Sequence, residues 1–276
     1  MLNFYFPYAG NKRLENKNTD DVLTELLESG KIKYIVEPFC GSCSFSFHVY
    51  RKYGDKFQYI MNDTDKHLIG IYKVIQDQGC GPLFDFANEK TAEIYKAEGP
   101  NRNPPLFKEL IKKKHDDPFH YFFWHRVYHC HKGAFYMNAR RMTYDASKFE
   151  KRDEFVKKCK FSCLDYSEFL KEWEGRGDVL IMLDPPYFQS HNGYYWDVGQ
   201  KTDENGFVKD YTCTCVDLYN FMKTKTPSIL VTNYVSIIDY IFKEFFKKLY
   251  GKTYMHDHLA RKHKKKKTQH AIYVNF

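Results

Sequence analysis

Five apolar residues followed by an acid and two prolines constrain this chain more than any other stretch. Val179 to Leu183 is continuously apolar, which is typical of a strand buried on both faces of a sheet. Asp184, Pro185, Pro186 and Tyr187 follow, and neither proline can donate a hydrogen bond that would continue the strand. The sequence therefore predicts a strand that ends at the carboxyl edge of an α/β sheet, which is where ligands bind.

This tetrapeptide suits a flat base that carries an exocyclic amino group. Asp184 and the carbonyl of Pro185 can accept the two amino hydrogens, while Tyr187 stacks on the ring. Both acceptors then draw electron density toward the nitrogen lone pair as it attacks an electrophilic methyl group. The alternative reading of the same residues is a simple Asp-Pro turn after a strand, so the other strand ends have to decide between them.

A second strand ends in Glu37 and leads into a turn with a single glycine. The apolar run that begins at Tyr34 is followed by residues 38–43 and then by a predicted helix that reaches Lys52. In a strand-turn-helix unit of this kind, backbone amides can approach a nucleoside closely, and Glu37 can hold an ammonium group or hydroxyls. One glycine is a weak signal by itself.

A third strand, Tyr59 to Met61, is followed by Asn62-Asp63-Thr64-Asp65. Asp63 lies 22 residues after Gly41, about where a βαβ unit places an acid that binds ribose hydroxyls. The same stretch predicts a helix from Lys66 to Gln76 with Asp65 as its N-cap. Both readings can hold at once.

A fourth strand begins at Lys160 and ends in Asp165 and Tyr166. Asp165 can form a hydrogen bond with an adenine, and Tyr166 can flank the ring. A helix N-cap followed by a core tyrosine is the alternative.

Between Cys80 and Lys158 the alternation of strands and helices lapses, and positive charge accumulates. Residues 108–158 hold thirteen Lys and Arg against seven Asp and Glu, and residues 255–270 hold six against one. Aromatic residues interleave with Arg and His, and Lys132-Gly133 can turn a β-hairpin. Such a distribution favours a polyanionic partner, although a solvated basic face gives the same charge count.

The rest of the chain predicts further elements of an α/β domain. We expect helices at 19–29, 216–223 and 237–250, strands at 228–232 and 271–275, a long functional loop at 188–211 and a mobile lysine loop at 264–267. The eight cysteines include Cys40 and Cys43, but no second close pair has zinc-ligand spacing, so reduced thiols are expected. The absence of a long apolar run and of a signal-peptide pattern predicts a soluble, intracellular protein.

Taken together, these motifs resemble the Dam-like N6-adenine DNA methyltransferases, the alpha class of amino-methyltransferases with the DPPY motif. Residues 6–13 resemble the family's Ala-Gly-Gly-Lys motif, and residues 36–43 its Val-Glu-Pro-Phe-x-Gly-x-Gly loop. Residues 62–65 resemble Asn-Asp-x-Asn, and residues 132–138 are similar to Asn-Gly-Leu-x-Arg-x-Asn. The chain departs from the pattern at Asn11 and Cys43, which replace glycines, and at Lys132 and Tyr136, so the DNA target sequence is not carried over.

The resemblance implies a Rossmann-like S-adenosylmethionine-dependent methyltransferase fold with an inserted DNA-recognition subdomain. Residues 1–78 and 160–276 would form the catalytic domain, and residues 79–159 the target-recognition domain. The implied catalytic residues are Asp184, Pro185, Pro186 and Tyr187. The implied cofactor-binding residues are Tyr8, Ala9, Gly10, Lys12, Glu37, Pro38, Phe39, Cys40, Gly41, Ser42, Cys43, Asp63, Asp165, Tyr166 and Asp184. The implied DNA-binding residues are Lys112, Lys113, Lys114, Arg126, Lys132, Tyr136, Asn138, Arg140, Arg141, Lys264 and Lys265.

The function that follows is site-specific methylation of adenine N6 in double-stranded DNA, with base flipping and S-adenosylmethionine as methyl donor. No metal is expected, and the biological role can be that of a restriction-modification partner, a phage or viral modification, or regulation. Two alternatives stay open. The first is a catalytically inactive DNA-binding or partner subunit of the same fold, and the second is a methyltransferase that acts on cytosine N4 or on RNA.

Overall fold

The computed structural model describes residues 5–6, 13–99, 105–127, 145–185, 212–233, 236–256 and 266–276. The strands are β1 (Tyr34–Glu37), β2 (Gln58–Asn62), β3 (Cys159–Ser162), β4 (Val179–Leu183), β5 (Ser228–Asn233), β6 (Lys247–His256) and β7 (Lys266–Val274). The helices are α1 (Arg13–Glu28), α2 (Ser44–Tyr53), α3 (Lys66–Gln78), α4 (Gly81–Glu98), α5 (Pro105–Lys112), α6 (Pro118–Val127), α7 (Glu150–Lys158), α8 (Tyr166–Leu170), α9 (Thr212–Met222) and α10 (Ser236–Phe245).

The seven strands form one sheet in the order β3-β2-β1-β4-β5-β7-β6. β1 pairs in parallel with β2 and with β4, and β4 pairs in parallel with β5. β7 is antiparallel to both β5 and β6. Strand order reverses between β1 and β4, which is the topological switch point of a doubly wound sheet. The predicted Rossmann-like α/β fold is confirmed.

β4 runs through the centre of this sheet. All five of its residues are buried, as the continuous apolar run predicts. Its partners are aligned so that Val36 of β1 is opposite Ile181 and Leu230 of β5 is opposite Leu183. The side chains of this core are almost entirely apolar and include Val36, Phe169, Trp173, Ile181, Leu183, Leu230, Phe242 and Tyr273.

The chain divides into two compact units. Residues 1–11 and 65–161 form one, and residues 12–64 and 162–276 form the other. The described part of the first unit consists mainly of α3 to α7, which bury aromatic side chains such as Phe84, Phe122 and Phe155. The second unit holds β1, β2 and β4 to β7. The predicted division into a catalytic and a target-recognition domain stays a prediction.

Several expected elements are found where the sequence indicated. β4 has the predicted bounds, and α3 begins after Asp65, whose Oδ1 accepts hydrogen bonds from the amides of His67 (2.9 Å) and Leu68 (3.1 Å). The other oxygen of Asp65 accepts from the hydroxyl of Tyr121. Among the described residues of 81–158 only helical elements form, in agreement with the lapse in strand-helix alternation. No helix in the described residues is apolar over a length that would cross a membrane.

Other elements differ from the expectation. α1 begins at Arg13, well before the predicted cap at Thr19 or Asp20, and Thr19 is buried within it. The helix predicted over 237–250 ends at Phe245, and β6 begins at Lys247. Part of the predicted lysine loop also belongs to a strand, because β7 begins at Lys266. The cause is nonlocal: β6 and β7 pair with each other along their whole length, and no local sequence pattern reports that pairing.

Candidate active site at the carboxyl edge of the sheet

Acidic residues end three neighbouring parallel strands. Glu37 is the last residue of β1, Asp63 follows β2, and Asp184 follows β4 directly. The strand register sets Glu37 opposite Met61, so the ends of β1 and β2 are level. Because parallel strands end at the same edge of a sheet, these residues share one edge, and β1 and β4 flank the switch point where ligands bind in such folds.

Glu37 is held by the helix that follows its loop. Its side chain is buried, with 4% of the residue exposed. Oε1 accepts a hydrogen bond of 2.8 Å from the amide of Ser46, in the first turn of α2, where backbone amides lack partners within the helix. A negative charge near a helix N-terminus is also favoured by the helix dipole. Glu37 therefore fixes the entry of α2, and its contact with a cofactor stays a prediction.

The loop after β1 is fixed by backbone and side-chain hydrogen bonds. The amide of Cys43 donates to the carbonyl of Cys40 at 2.6 Å, and the amide of Cys40 donates to the carbonyl of Asn62 at 2.8 Å. Gly41, at φ 44°, turns its amide to Asp63 Oδ2 at 3.0 Å. Asp63, the predicted ribose-binding acid, thus holds the glycine of the predicted nucleoside loop.

The backbone conformation at Cys43 explains why a glycine would suit this position. It is the N-cap of α2 and has φ 50° and ψ 37°, which is the left-handed region that L-residues with a Cβ seldom adopt. Burial raises the pKa of the Cys40 thiol, and its hydrogen bond with Cys43 acts in the same direction. No disulfide joins the described cysteines, and the described residues contain no group of three metal-ligating side chains.

Asn62 links segments at this edge of the sheet in a way that the sequence did not indicate. It is fully buried, and its Nδ2 donates to the carbonyls of Pro38 at 3.1 Å and Leu164 at 3.0 Å. Its Oδ1 accepts from the hydroxyl of Ser162 at 2.8 Å and from the amide of Leu164 at 2.9 Å. One side chain thereby links the loop after β1 to the segment that leads to Asp165. Its position beside Asp63, in a motif already recognised, was the only sequence signal for this role.

Tyr166, in the segment after β3, forms an aromatic pair with Phe39 of the loop after β1. The rings of Tyr166 and Phe39 lie 5.2 Å apart between centroids, tilted by 35°. The hydroxyl of Tyr166 donates to Asp217 Oδ2 at 2.7 Å, which ties α8 to α9. Asp165 caps α8 by accepting from the amide of Ser167 at 3.0 Å, so the N-cap reading is observed and the adenine contact stays a prediction.

Asp184 and Pro185 lie at the end of the buried strand, as the sequence predicted. Asp184 is half-buried and Pro185 is buried. Pro186 and Tyr187 lie outside the described residues, as do the predicted cofactor residues Tyr8, Ala9, Gly10 and Lys12.

The predicted DNA-binding residues of the first unit have several local roles. Lys112 lies 2.7 Å from Glu109 on the surface of α5, and the Lys114 ammonium lies 4.7 Å from the centre of the Trp124 ring. Arg126 donates from Nη1 to the carbonyl of Tyr5 at 2.7 Å and lies 5.2 Å from the Phe84 ring. The predicted residues Lys132, Tyr136, Asn138, Arg140, Arg141, Lys264 and Lys265 lie outside the described residues.

Not every basic side chain of this unit adds positive charge. Burial lowers the pKa of His125 to about 3, and the nearby charge of Lys114 acts in the same direction. His125 is therefore neutral at physiological pH. Arg126 is engaged by the Tyr5 carbonyl. The contact of Lys112, Lys113, Lys114 and Arg126 with DNA stays a prediction.

Residues 8–116 match the family model of the D12 class N6 adenine-specific DNA methyltransferases. This match confirms the predicted family resemblance over that segment and indicates an S-adenosylmethionine-dependent methyltransferase. No curated protein matches the chain.

Solved structures that match this chain share little sequence with it, and their TM-scores are low. A Haemophilus influenzae protein provisionally described as a methylase is 11% identical over 94% of this chain and 88% of its own, with a TM-score of 0.35. TrmN from Thermus thermophilus is 8% identical over 96% of this chain and 53% of its own, with a TM-score of 0.40. The rRNA methyltransferase AviRa from Streptomyces viridochromogenes is 12% identical over 92% and 84%, with a TM-score of 0.32. At these TM-scores the likenesses carry no argument about substrate.

Proposed function

We propose, with S-adenosylmethionine-dependent methylation as the premise, that this protein methylates N6 of adenine in double-stranded DNA after the base has turned out of the helix. The observation that carries the proposal is the position of Asp184. It follows β4 directly and lies beside the switch point, next to the strand that ends in Glu37. A base must leave the stack to reach a carboxylate at such an edge, and enzymes that modify bases meet that requirement by flipping.

The residues at this edge fit S-adenosylmethionine by the chemistry of their side chains. Carboxylates such as Glu37 and Asp63 suit the ammonium group and the ribose hydroxyls, and the Phe39–Tyr166 pair suits the adenine ring. When bound, the cofactor supplies a methyl group on a positively charged sulfur. Tyr8, Ala9, Gly10 and Lys12 are proposed as further cofactor contacts only by resemblance to the family's N-terminal motif.

The chain's own part in the reaction is to orient and polarise the target amine. Asp184 and the Pro185 carbonyl accept hydrogen bonds from the two amino hydrogens, so the lone pair points toward the methyl carbon. Tyr187 stacks on the base and holds its plane. With the cofactor bound, the carbon–sulfur bond would break as the carbon–nitrogen bond forms, and a neutral thioether would be left behind. The fixed carboxylate of Asp184 would stabilise the positive charge that develops on the amino nitrogen, and one amino proton would then pass to solvent. Asp184 acts as an acceptor and needs no strong basicity.

DNA is the proposed partner because the family model describes DNA enzymes and because basic residues cluster. Lys112, Lys113 and Lys114 lie at the end of α5 and just beyond it. The residues proposed to recognise the target sequence are Lys132, Tyr136, Asn138, Arg140 and Arg141, by resemblance to the family's recognition motif. Lys264 and Lys265 are proposed as phosphate contacts.

The decisive test is Asp184→Asn, with Asp178→Asn as the matched control. Asp178 lies at the opposite end of β4, where its carboxylate pairs with Arg176 at 3.0 Å. We expect Asp184→Asn to slow methyl transfer by at least about 100-fold, the scale of removing one preorganised polar contact from a transition state. Cofactor affinity measured by calorimetry should change little in either variant, and Asp178→Asn should keep full activity.

The substrate is settled by digesting methylated nucleic acid and identifying the modified nucleoside by mass spectrometry. N6-methyladenine in duplex DNA supports the proposal. N4-methylcytosine would identify cytosine as the target base, and methyl groups found in RNA alone would identify RNA as the substrate. Either result would contradict the proposed substrate. Cofactor binding without transfer to any nucleic acid would identify an inactive partner subunit.

A further inference from the structure

The β6–β7 ribbon is longer than the sheet to which it belongs. β7 pairs with β5 only from His270 to Val274 in the described register, where the last pair joins Asn233 to His270. Residues 266–269 continue beyond that pair and bond to residues 253–256 of β6. We call these four residue pairs the overhang. At about 3.3 Å per residue, the overhang is about 13 Å long.

The overhang projects from the edge that carries Asp184. β5 is parallel to β4, and Leu230 lies opposite Leu183, so Asn233 marks the carboxyl end of β5. β7 enters the sheet from that end because it is antiparallel to β5. Two strand spacings separate β4 from β7, which is about 10 Å at about 4.8 Å per spacing. By the register, the overhang begins four residues beyond the level of Leu183, which is about 13 Å past the end of β4 at about 3.3 Å per residue. It belongs to the same compact unit as β4.

Its composition is basic and contains no acid. The overhang comprises Thr253, Tyr254, Met255, His256, Lys266, Lys267, Thr268 and Gln269. The whole stretch from Lys247 to Val274 holds nine Lys and Arg against the single acid Asp257. In the register, Lys266 is opposite His256 and Lys267 is opposite Met255, so two successive positions of the overhang are lysines.

We propose that the overhang is a contact element for the phosphate backbone of duplex DNA beside the target adenine. This inference rests on the proposed function and deepens it, because it assigns a DNA contact to the unit that carries Asp184. A duplex that delivers a base to the carboxyl edge must bring its phosphates past this edge. A two-stranded ribbon is narrow enough to enter a DNA major groove, and lysines along such a ribbon supply the positive charge that phosphates bind. The lysines fix position and do not read sequence.

The test is the double variant Lys266→Gln/Lys267→Gln, compared with Lys243→Gln/Lys247→Gln. The control pair removes the same charge from α10 and from the opposite end of β6, where Lys247 is opposite Val274. Binding of a fluorescent duplex is measured by anisotropy at several salt concentrations. The slope of log K against log salt is negative, and its magnitude should decrease by about 2 in the overhang variant, because each lost phosphate contact removes about 0.9. The control should keep the wild-type slope, and Lys266→Arg/Lys267→Arg should restore it.

Calorimetric cofactor affinity and the thermal midpoint should be unchanged, which separates lost contacts from lost fold. If the wild type methylates DNA but the overhang variant keeps the wild-type slope, the overhang proposal is overturned and the proposed function stands. If the slope depends on the overhang but no methyl is transferred, the proposed function fails and the overhang proposal stands. Absence of duplex binding in the wild type, or tighter overhang-dependent binding to an RNA duplex of the same sequence, overturns the DNA contact.

Discussion

The parallel strands β2-β1-β4 and the β6–β7 ribbon belong to one sheet, but they differ in the sign of their charged residues and in how these are arranged. At the parallel edge, acids are single and individually fixed, as Glu37 is by the Ser46 amide and Asp63 by the Gly41 amide. In the overhang, the charged residues are basic, and they belong to a run of four lysines from Lys264 to Lys267. Orienting a reacting group needs few charges with fixed positions, whereas holding a polyanion needs many whose positions matter less.

Each region contains one asparagine whose side chain cross-links backbone segments, and replacing these asparagines should give the largest effects on stability. Asn62→Leu removes four hydrogen bonds of a fully buried side chain at nearly constant volume. Because buried partners are left unsatisfied, we expect the free energy of unfolding to fall by about 3 kcal/mol, as measured by urea denaturation. Cofactor affinity should also fall at least about tenfold, since 1.4 kcal/mol of loop misplacement corresponds to that factor.

The matched control is Asn275→Leu, at the ribbon end of the sheet. Asn275 has the same construction: its Nδ2 donates to the carbonyls of Met222 and Thr226 at 2.7 and 2.8 Å, and its Oδ1 accepts from the Ser228 amide at 2.8 Å. We expect a similar loss of stability with unchanged cofactor affinity. Equal losses of affinity in the two variants would show that Asn62 acts through overall stability and has no positioning role.

The same two regions differ in how far the sequence predicts them. β4 was predicted with its bounds because burial on both faces leaves an uninterrupted apolar run, and Asp65 was recognised because capping is local. β6 was mistaken for the end of a helix because its strand state depends on pairing with β7. The role of Asn62 was equally hidden, since three of its four bonds reach residues 100 or 102 positions away.

An intermediate effect is expected at the root of the ribbon, where Asp239 on α10 meets β6 and β7. Its Oδ1 accepts hydrogen bonds from Lys248 Nζ at 2.5 Å and from the Tyr273 hydroxyl at 2.6 Å. Burial acts to raise the pKa of Asp239, but these two contacts outweigh it and hold the pKa below its usual value. A lowered folded pKa stabilises the protein above the unfolded pKa of about 4, and the contribution is lost as pH falls through the folded value.

We therefore expect Asp239→Asn to lower the free energy of unfolding by about 1–2 kcal/mol at pH 7, because hydrogen bonds to a charged group are lost. The difference from wild type should narrow as the pH falls below about 4. Asp178→Asn, at the amino end of β4, is the comparison. The pKa of Asp178 is also lowered, by Arg176, but both side chains are about one third exposed and joined within a two-residue turn, so this pair should contribute less than about 0.5 kcal/mol. Urea denaturation at several pH values measures both.

The smallest effect concerns backbone strain in the loop after β1. Alanine is ordinarily more stabilising than glycine, because glycine has more conformational freedom in the unfolded chain, by about 0.4–1 kcal/mol. At Cys43 the left-handed backbone reverses that order, because a Cβ costs about 1–2 kcal/mol there. We expect Cys43→Gly to be more stable than Cys43→Ala by about 1 kcal/mol, while both lose the contacts of the buried thiol alike.

Lys225 also has a left-handed backbone, but unlike Cys43 its side chain is exposed, so it tests backbone strain alone. It has φ 68° and is exposed in the turn before β5, so Lys225→Gly should raise the free energy of unfolding by about 1 kcal/mol over Lys225→Ala. Cys40 supplies the opposite control, because its backbone does not have a positive φ, and alanine should be the more stable replacement there. If alanine proves more stable than glycine at position 43 as well, the loop does not hold its left-handed turn in solution. The left-handed strain would then be confined to the turn before β5, and the loop after β1 would be less rigid than its hydrogen bonds indicate.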